Sequence, residues 1–261
     1  MAALTIDQPD HGHIRVTGAD RARFLHGLTT CNVTGLAPGG HTWGAILSPK
    51  GRVLSVIELV REPDGSPDDA IWVHVEPALT APTLALLEHH AMLDDVAFER
   101  VDGPAHRVWN TVADVWDAPP ILSAPGPGAI PAYHPDAERL RIRAGLPRYG
   151  VDIDDGCFPF ETPLANYLDY GKGCYIGQEP VFRVHSQGKA ARTLRGLRLP
   201  AMVAIGATVS HPAKKDAGAV TSVIADGDGA IALAYLHRSA WEVGDTVLVE
   251  HHTATVHALP M

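Results

Sequence analysis

Cysteine is scarce: Cys31, Cys157 and Cys174 are the whole complement, far apart and never spaced Cys-x-x-Cys. That pattern offers neither a disulfide framework nor a self-contained zinc or iron-sulfur site, so no bound metal is expected. Long apolar runs are missing too. The best stretch, 77–87, falls short of the roughly 20 residues a membrane helix needs and carries Thr80 and Thr83, so no membrane partner is expected. The opening residues have neither a basic leader nor an apolar block before Asp7; they do not read as a signal peptide, and a cytoplasmic location is expected. Positive charge is in deficit, with a formal balance of −9. That argues against an extended basic face, and no direct nucleic-acid partner is expected. Histidine is plentiful, 15 in all, but His89-His90 and His251-His252 are adjacent pairs and no His-Glu-x-x-His pattern occurs. The histidines are expected mostly at the surface.

What is present is ordinary globular usage, 261 residues with 46% hydrophobic and 20% charged, enough for two or three packed units. The charge is uneven. Between residues 171 and 199, Lys172, Arg183, Lys189, Arg192, Arg195 and Arg198 face the single acid Glu179, a local balance of +5 that leaves −14 for the rest. This segment suits an anion.

Residues 13–16 read as a strand, followed by Asp20 as N-cap of a helix with the apolar face Phe24, Leu25 and Leu28. Segments 41–47 and 52–60 are apolar and β-branched around Pro49-Lys50-Gly51, which predicts a hairpin. Strands at 70–75 and 96–101 bracket a helix over 80–92. The proline-rich stretch 118–135 reads as a linker. Residues 136–144 fit a helix by charge spacing, while Leu140-Arg141-Ile142-Arg143 alternates as a strand would; both readings stand. Beyond Lys189, short alternating runs at 193–199, 219–225, 230–236 and 246–251 suggest a small barrel or sandwich.

The densest set of unusual residues is Lys172-Gly173-Cys174-Tyr175-Ile176-Gly177-Gln178-Glu179, with Arg183 beyond. Two glycines among charged and aromatic neighbours signal a tight turn, running into a helix from about Ile176. A helix start offers free N–H donors that suit carboxylates or phosphates. This stretch resembles the Lys-Gly-Cys-Tyr-x-Gly-Gln-Glu signature, with a later Arg, of the YgfZ family of folate-binding proteins. The resemblance extends along the chain through Gly18-Ala19-Asp20, Leu28-Thr29-Thr30, Pro49-Lys50-Gly51-Arg52, Arg143-Ala144-Gly145-Leu146-Pro147-Arg148-Tyr149-Gly150, Phe158-Pro159-Phe160-Glu161 and Gly218-Ala219-Val220-Thr221-Ser222.

The resemblance implies an α+β fold shared with the aminomethyltransferase of the glycine cleavage system: a folate-binding region over 1–188, of one or two subdomains, then a C-terminal β-barrel over 189–261, arranged around a central hole. It implies tetrahydrofolate or a derivative as cofactor, and iron-sulfur client or assembly proteins as partners. In the related transferase a Pro-x-Glu glutamate accepts the 2-amino-pyrimidinone edge of the pterin. Pro159-Phe160-Glu161 matches it, though the following Thr162-Pro163 departs from the more usual Ala-Asn. Lys172, Tyr175, Gln178, Glu179 and Arg183 complete the expected folate contacts, with Tyr149, Tyr167 and Tyr170 as further aromatic candidates. Cys174 is either a reactive thiol, activated by the lysine and the helix start, or a small residue filling a turn.

The transferase's catalytic aspartate follows a Gly-Gly-Ile-Leu stretch. Here Gly51-Arg52-Val53-Leu54 is followed by Ser55, and the nearest acid, Glu58, lies three residues on along a strand and points the opposite way. The expectation is a folate-binding accessory protein rather than an aminomethyltransferase. The rivals are folate-dependent aminomethyl transfer and a non-enzymatic module whose basic segment docks an acidic partner.

Overall fold

The computed structural model describes residues 4–109, 120–188 and 190–261. Part of the proline-rich linker, and Lys189, lie outside the described residues. The chain divides into two compact units: the first comprises Met1–Pro131, Asp155–Pro159 and Asn166–Arg183, the second Ala132–Asp154, Phe160–Ala165 and Val184–Met261.

The first unit is built on an antiparallel sheet of β2 (Gly12–Thr17), β3 (His41–Leu47), β4 (Val53–Arg61), β5 (Ile71–Val75) and β6 (Ala97–Val101), in the order β3-β4-β5-β2-β6. The β3-β4 hairpin forms where the turn residues predict it, with Gly51 at φ 76 and its N–H donating to the carbonyl of Ser48 at 2.8 Å. Helix α1 (Arg21–Leu28) buries Phe24, Leu25 and Leu28, as its apolar spacing requires. Asp20 precedes it without a side-chain cap bond; its carboxylate accepts from the N–H of Asp95 at 2.9 Å. Helix α2 (Thr80–His90) buries Thr83 and Leu87, and the Thr83 hydroxyl meets that of Ser55 at 2.7 Å. A second sheet pairs β1 (Leu4–Asp7) antiparallel with β7 (His106–Trp109) and parallel with β8 (Ile130–Pro131).

In the second unit, α3 (Pro135–Ala144) settles the open reading of that segment. Pro135 at the first turn, Asp136 and Glu138 near the N-terminus, and Gly145 in the left-handed region as C-cap are all helix-terminus chemistry. The strands β9 (Arg192–Leu199), β10 (Thr208–His211), β11 (Lys214–Asp226), β12 (Gly229–His237), β13 (Thr246–Val249) and β14 (His252–His257) close into a barrel in the order β10-β11-β12-β9-β14-β13. In β13 and β14 burial alternates, with Val247, Val249, Ala254 and Val256 inward. β12 is buried on both faces from Ala230 to Leu236, because α3 packs against β11 and β12. Its unbroken apolar run follows from that double cover. Beneath α3 the carboxylate of Asp152, 2% exposed, collects Arg141 Nη1 (2.6 Å), Thr221 Oγ1 (2.5 Å), Ser222 Oγ (2.7 Å) and the N–H of Arg148 (3.0 Å). Buried charge is tolerated there because every lone pair is answered.

Candidate functional site

The end of α1 leaves carbonyls without intrahelical partners. Thr29 answers one, its N–H and hydroxyl both donating to the carbonyl of Leu25. Lys172 answers the next: its ammonium donates to the carbonyls of His26 (2.5 Å), Thr29 and Cys31 (2.8 Å). A cation at a helix C-terminus is also favoured by the helix dipole. The return bond runs from His26, whose Nε2–H donates to the carbonyl of Lys172 at 2.7 Å, leaving Nδ1 to accept from the Thr34 N–H. Burial lowers the Lys172 pKa to about 8. The ammonium thus points inward, 5.0 Å over the Tyr175 ring.

The two signature glycines both have positive φ, 99 for Gly173 and 79 for Gly177. At Gly177 the reason is close approach: a Cβ would lie 2.4 Å from the carbonyl oxygen of Ser48 in the hairpin turn. The motif at 49–52 and the signature turn are therefore packed together. Arg52 extends the junction, donating to the carbonyl of Gly156 at 2.5 Å with its guanidinium 3.7 Å over the Phe158 ring.

Cys174 is exposed. Tyr175 is buried, its hydroxyl has no hydrogen-bond partner among the described residues, and burial pushes its pKa up to about 12. Gln178 opens α4 (Gln178–Gln187), two residues later than the sequence suggests. On its outer face Glu179 and Arg183 form an i,i+4 ion pair of 2.7 Å with both side chains mostly exposed, an arrangement worth only a few tenths of a kcal/mol.

Glu161 belongs to the second unit, at the end of a 3-10 turn over Pro159–Glu161. It is 6% exposed. Arg192 donates to its two oxygens, Nε at 3.2 Å and Nη2 at 3.1 Å, and the same guanidinium lies 4.5 Å over the Tyr235 ring. Thr162, one of the two residues that depart from the related transferase's pattern, accepts the N–H of Leu164 and caps the turn Pro163–Tyr167.

The transferase question turns on β4. Ser55 is fully buried and bonded to Thr83, whereas Glu58 faces Arg107 on β7, with Nη2 to Oε2 at 2.5 Å. The two residues lie on opposite faces, as their spacing requires.

No protein-family model matches the chain. It is 25% identical to a putative chloroplastic transferase of Arabidopsis thaliana over 94% of this chain and 68% of that one. It is 27% identical to a mitochondrial iron-sulfur cluster assembly factor, an IBA57 homolog of Mycosarcoma maydis, over 69% and 53%. It is 25% identical to the tRNA-modifying protein YgfZ of Vibrio vulnificus over 70% and 66%. The chain thus spans between about half and two thirds of these relatives' lengths. Its fold superposes on the glycine cleavage system aminomethyltransferase T of Bartonella henselae with a TM-score of 0.84, at 17% identity, covering 99% of this chain and 86% of that one. The chain is thus similar to YgfZ-type and IBA57-type proteins and has the aminomethyltransferase fold.

Sequence reasoning missed several polar residues of this chain. Arg192 was legible only as part of the basic segment, and nothing marked Tyr235 as its neighbour. Across the first sheet, Trp43, Glu58, His74, His13 and Val101 stand in one cross-strand row. His13 and His74 are buried, with their Nδ1 atoms 2.7 Å apart; these two depart from the surface placement expected of most histidines. One Nδ1 must donate and the other accept, so the pair cannot be doubly protonated. Burial lowers the pKa of His13 to about 4 and of His11 to about 3. Glu58 sits in the same row with its pKa raised by burial, Arg107 opposing that rise. Among the described residues no group of three or more His, Cys, Asp or Glu could hold a metal ion.

Proposed function

We propose that this chain binds tetrahydrofolate or a derivative and supports the assembly or repair of iron-sulfur clusters in client enzymes, without transferring an aminomethyl group. The observation that carries the exclusion is Ser55. Where the resemblance expects the transferase carboxylate, a buried hydroxyl is engaged by Thr83, and Glu58 is turned away against Arg107. Neither can set an anion beside a folate nitrogen.

The folate reading is supported by Glu161, whose two carboxylate oxygens are held as a planar acceptor for two parallel N–H donors, the edge a pterin offers. It is supported also by the buried hydroxyl of Tyr175 beside the signature turn, which has no hydrogen-bond partner among the described residues, since buried polar groups ordinarily find partners. The role proposed for Lys172 is to fasten that turn to the end of α1. Gln178, Glu179 and Arg183 are the proposed outward contacts, Arg183 for the anionic glutamate tail. A reduced folate would supply a one-carbon carrier with an oxidisable pteridine; this chain's residues bind and orient it. The cluster role is supported by the names of the relatives, one an iron-sulfur cluster assembly factor and one a tRNA-modifying protein. Iron-sulfur client or assembly proteins are the proposed partners, with exposed Cys174 the proposed point of contact. No helix among the described residues is long and apolar enough to cross a membrane, and the cytoplasm is the proposed compartment.

Titration with tetrahydrofolate, followed by tryptophan and tyrosine fluorescence, tests the reading against a module that only docks an acidic protein. Saturable quenching at micromolar ligand supports folate binding. A flat titration leaves the docking module as the better account.

A further inference from the structure

The carboxylate proposed for the pterin edge already has a flat donor against it. Within the second unit Arg192 directs Nε and Nη2 at the two oxygens of Glu161, 3.2 and 3.1 Å away. Its guanidinium carbon stands 4.5 Å over the ring of Tyr235. Strand pairing sets Arg192 opposite His237, two residues from Tyr235, so the arginine and the tyrosine share one face of the β9-β12 pair. A guanidinium and the N3–H, 2-amino edge of a 4-oxopterin present the same object: a planar, delocalised group with two parallel N–H donors that also stacks on an aromatic ring.

We infer that Arg192 is an internal surrogate for the ligand, occupying the subsite formed by Glu161 and Tyr235 until a 2-amino-4-oxopteridine takes its place. The inference rests on the folate reading and adds that binding is a competition. The asymmetry of the pair favours displacement of the arginine. Glu161 is 6% exposed and its carbonyl accepts from Thr193 Oγ1 at 3.4 Å, so it stays in place. Arg192 is the first residue of β9, and its side chain is 40% exposed; it can swing into water, where a guanidinium is always charged and well solvated. Half-exposed ion pairs are weak, and an occupied subsite lowers apparent affinity by the fraction of molecules in which it is open. Together these give a cost to binding of about five-fold.

Arg192→Met keeps an apolar stem over Tyr235 and removes both donors. The full-length parent and this variant are titrated with pterin and with 2,4-dioxopteridine, which lacks the 2-amino donor, each followed by its own fluorescence. Tetrahydrofolate is titrated in parallel. The variant is expected to bind pterin about five-fold more tightly than the parent, with no gain for the dioxo compound. A merely structural arginine gives the opposite result: pterin binding unchanged or weakened, or the same change for both pteridines, overturns the inference. If the parent binds tetrahydrofolate and the variant shows no gain, displacement alone falls. If no pteridine binds either protein, the folate reading falls with it. Should circular dichroism show Arg192→Met unfolded, Arg192→Gln, with one amide donor, makes the same comparison with a smaller gain expected.

Discussion

Replacing Lys172 by methionine separates a structural ammonium from one offered to a ligand. The side chain is of similar length, so packing is largely kept, and what is lost is the charge that holds three carbonyls. Hydrogen bonds to a charged group contribute about 1.5–3 kcal/mol each, and Thr29 and Cys31, whose carbonyls lose a donor, are buried. Against that stands the desolvation that pulls the lysine from 10.5 to about 8, a cost of about 3 kcal/mol at about 1.4 kcal/mol per unit. The difference is a net loss of about 1.5–6 kcal/mol. For a chain of this size each kcal/mol moves the melting temperature by about 2–4 °C, so a fall of at least about 3 °C is expected. Thermal unfolding followed by tryptophan fluorescence reads it, since Trp43 and Trp72 lie in the same unit. A variant melting within about 2 °C of the parent would refute the carbonyl cage and return Lys172 to the surface as a free cation.

The histidine row makes stability depend on pH in a stated direction. His13 has a folded pKa of about 4 against 6.5, so the unfolded chain binds the proton first and stability falls as pH drops from about 6.5 towards 4. Urea unfolding is expected to lose about 2–3 kcal/mol between pH 7 and pH 4.5, and a His13→Leu, His74→Leu double variant to show a flatter profile; equal slopes would remove the pair from the account. Glu58→Gln leaves Arg107 buried beside a neutral amide, and a loss of about 3 kcal/mol or more is expected in the same assay. A change under about 1 kcal/mol would mean that the ion pair is not sealed from water. Cys174→Ala, at an exposed turn, is expected to alter stability by less than about 0.5 kcal/mol while lowering the activity of iron-sulfur enzymes in cells carrying only the variant. Full activity there would rule out a chemical role for the thiol.

Local pattern made much of the architecture legible before any coordinates. The β3-β4 hairpin was written in two β-branched runs and a Pro-Lys-Gly turn, α1 in the spacing of Phe24, Leu25 and Leu28, and the barrel in short alternating runs. The signature turn was legible as a turn, though what demands Gly177 is the carbonyl of Ser48, a contact between residues far apart in sequence. Residues 140–143 alternate as a strand does, and only the terminus chemistry around them decides for a helix. The row of Glu58, His74 and His13 was invisible because it exists only once three strands adopt one register. The same holds for Arg192: a basic segment predicts an anion nearby, but not that the anion is Glu161 or that Tyr235 lies beneath the guanidinium. Lys172, read as a folate contact, has its ammonium on the carbonyls at the end of α1, a demand that local sequence does not express.

Calorimetric titration of tetrahydrofolate into the parent and into Glu161→Ala measures the central claim most directly. Two charge-assisted hydrogen bonds to the pterin edge, at about 1.5–3 kcal/mol each, predict affinity weakened at least about a hundredfold in the variant, with the parent binding at a single site. Equal dissociation constants for the two proteins, or no heat of binding in the parent, would contradict it.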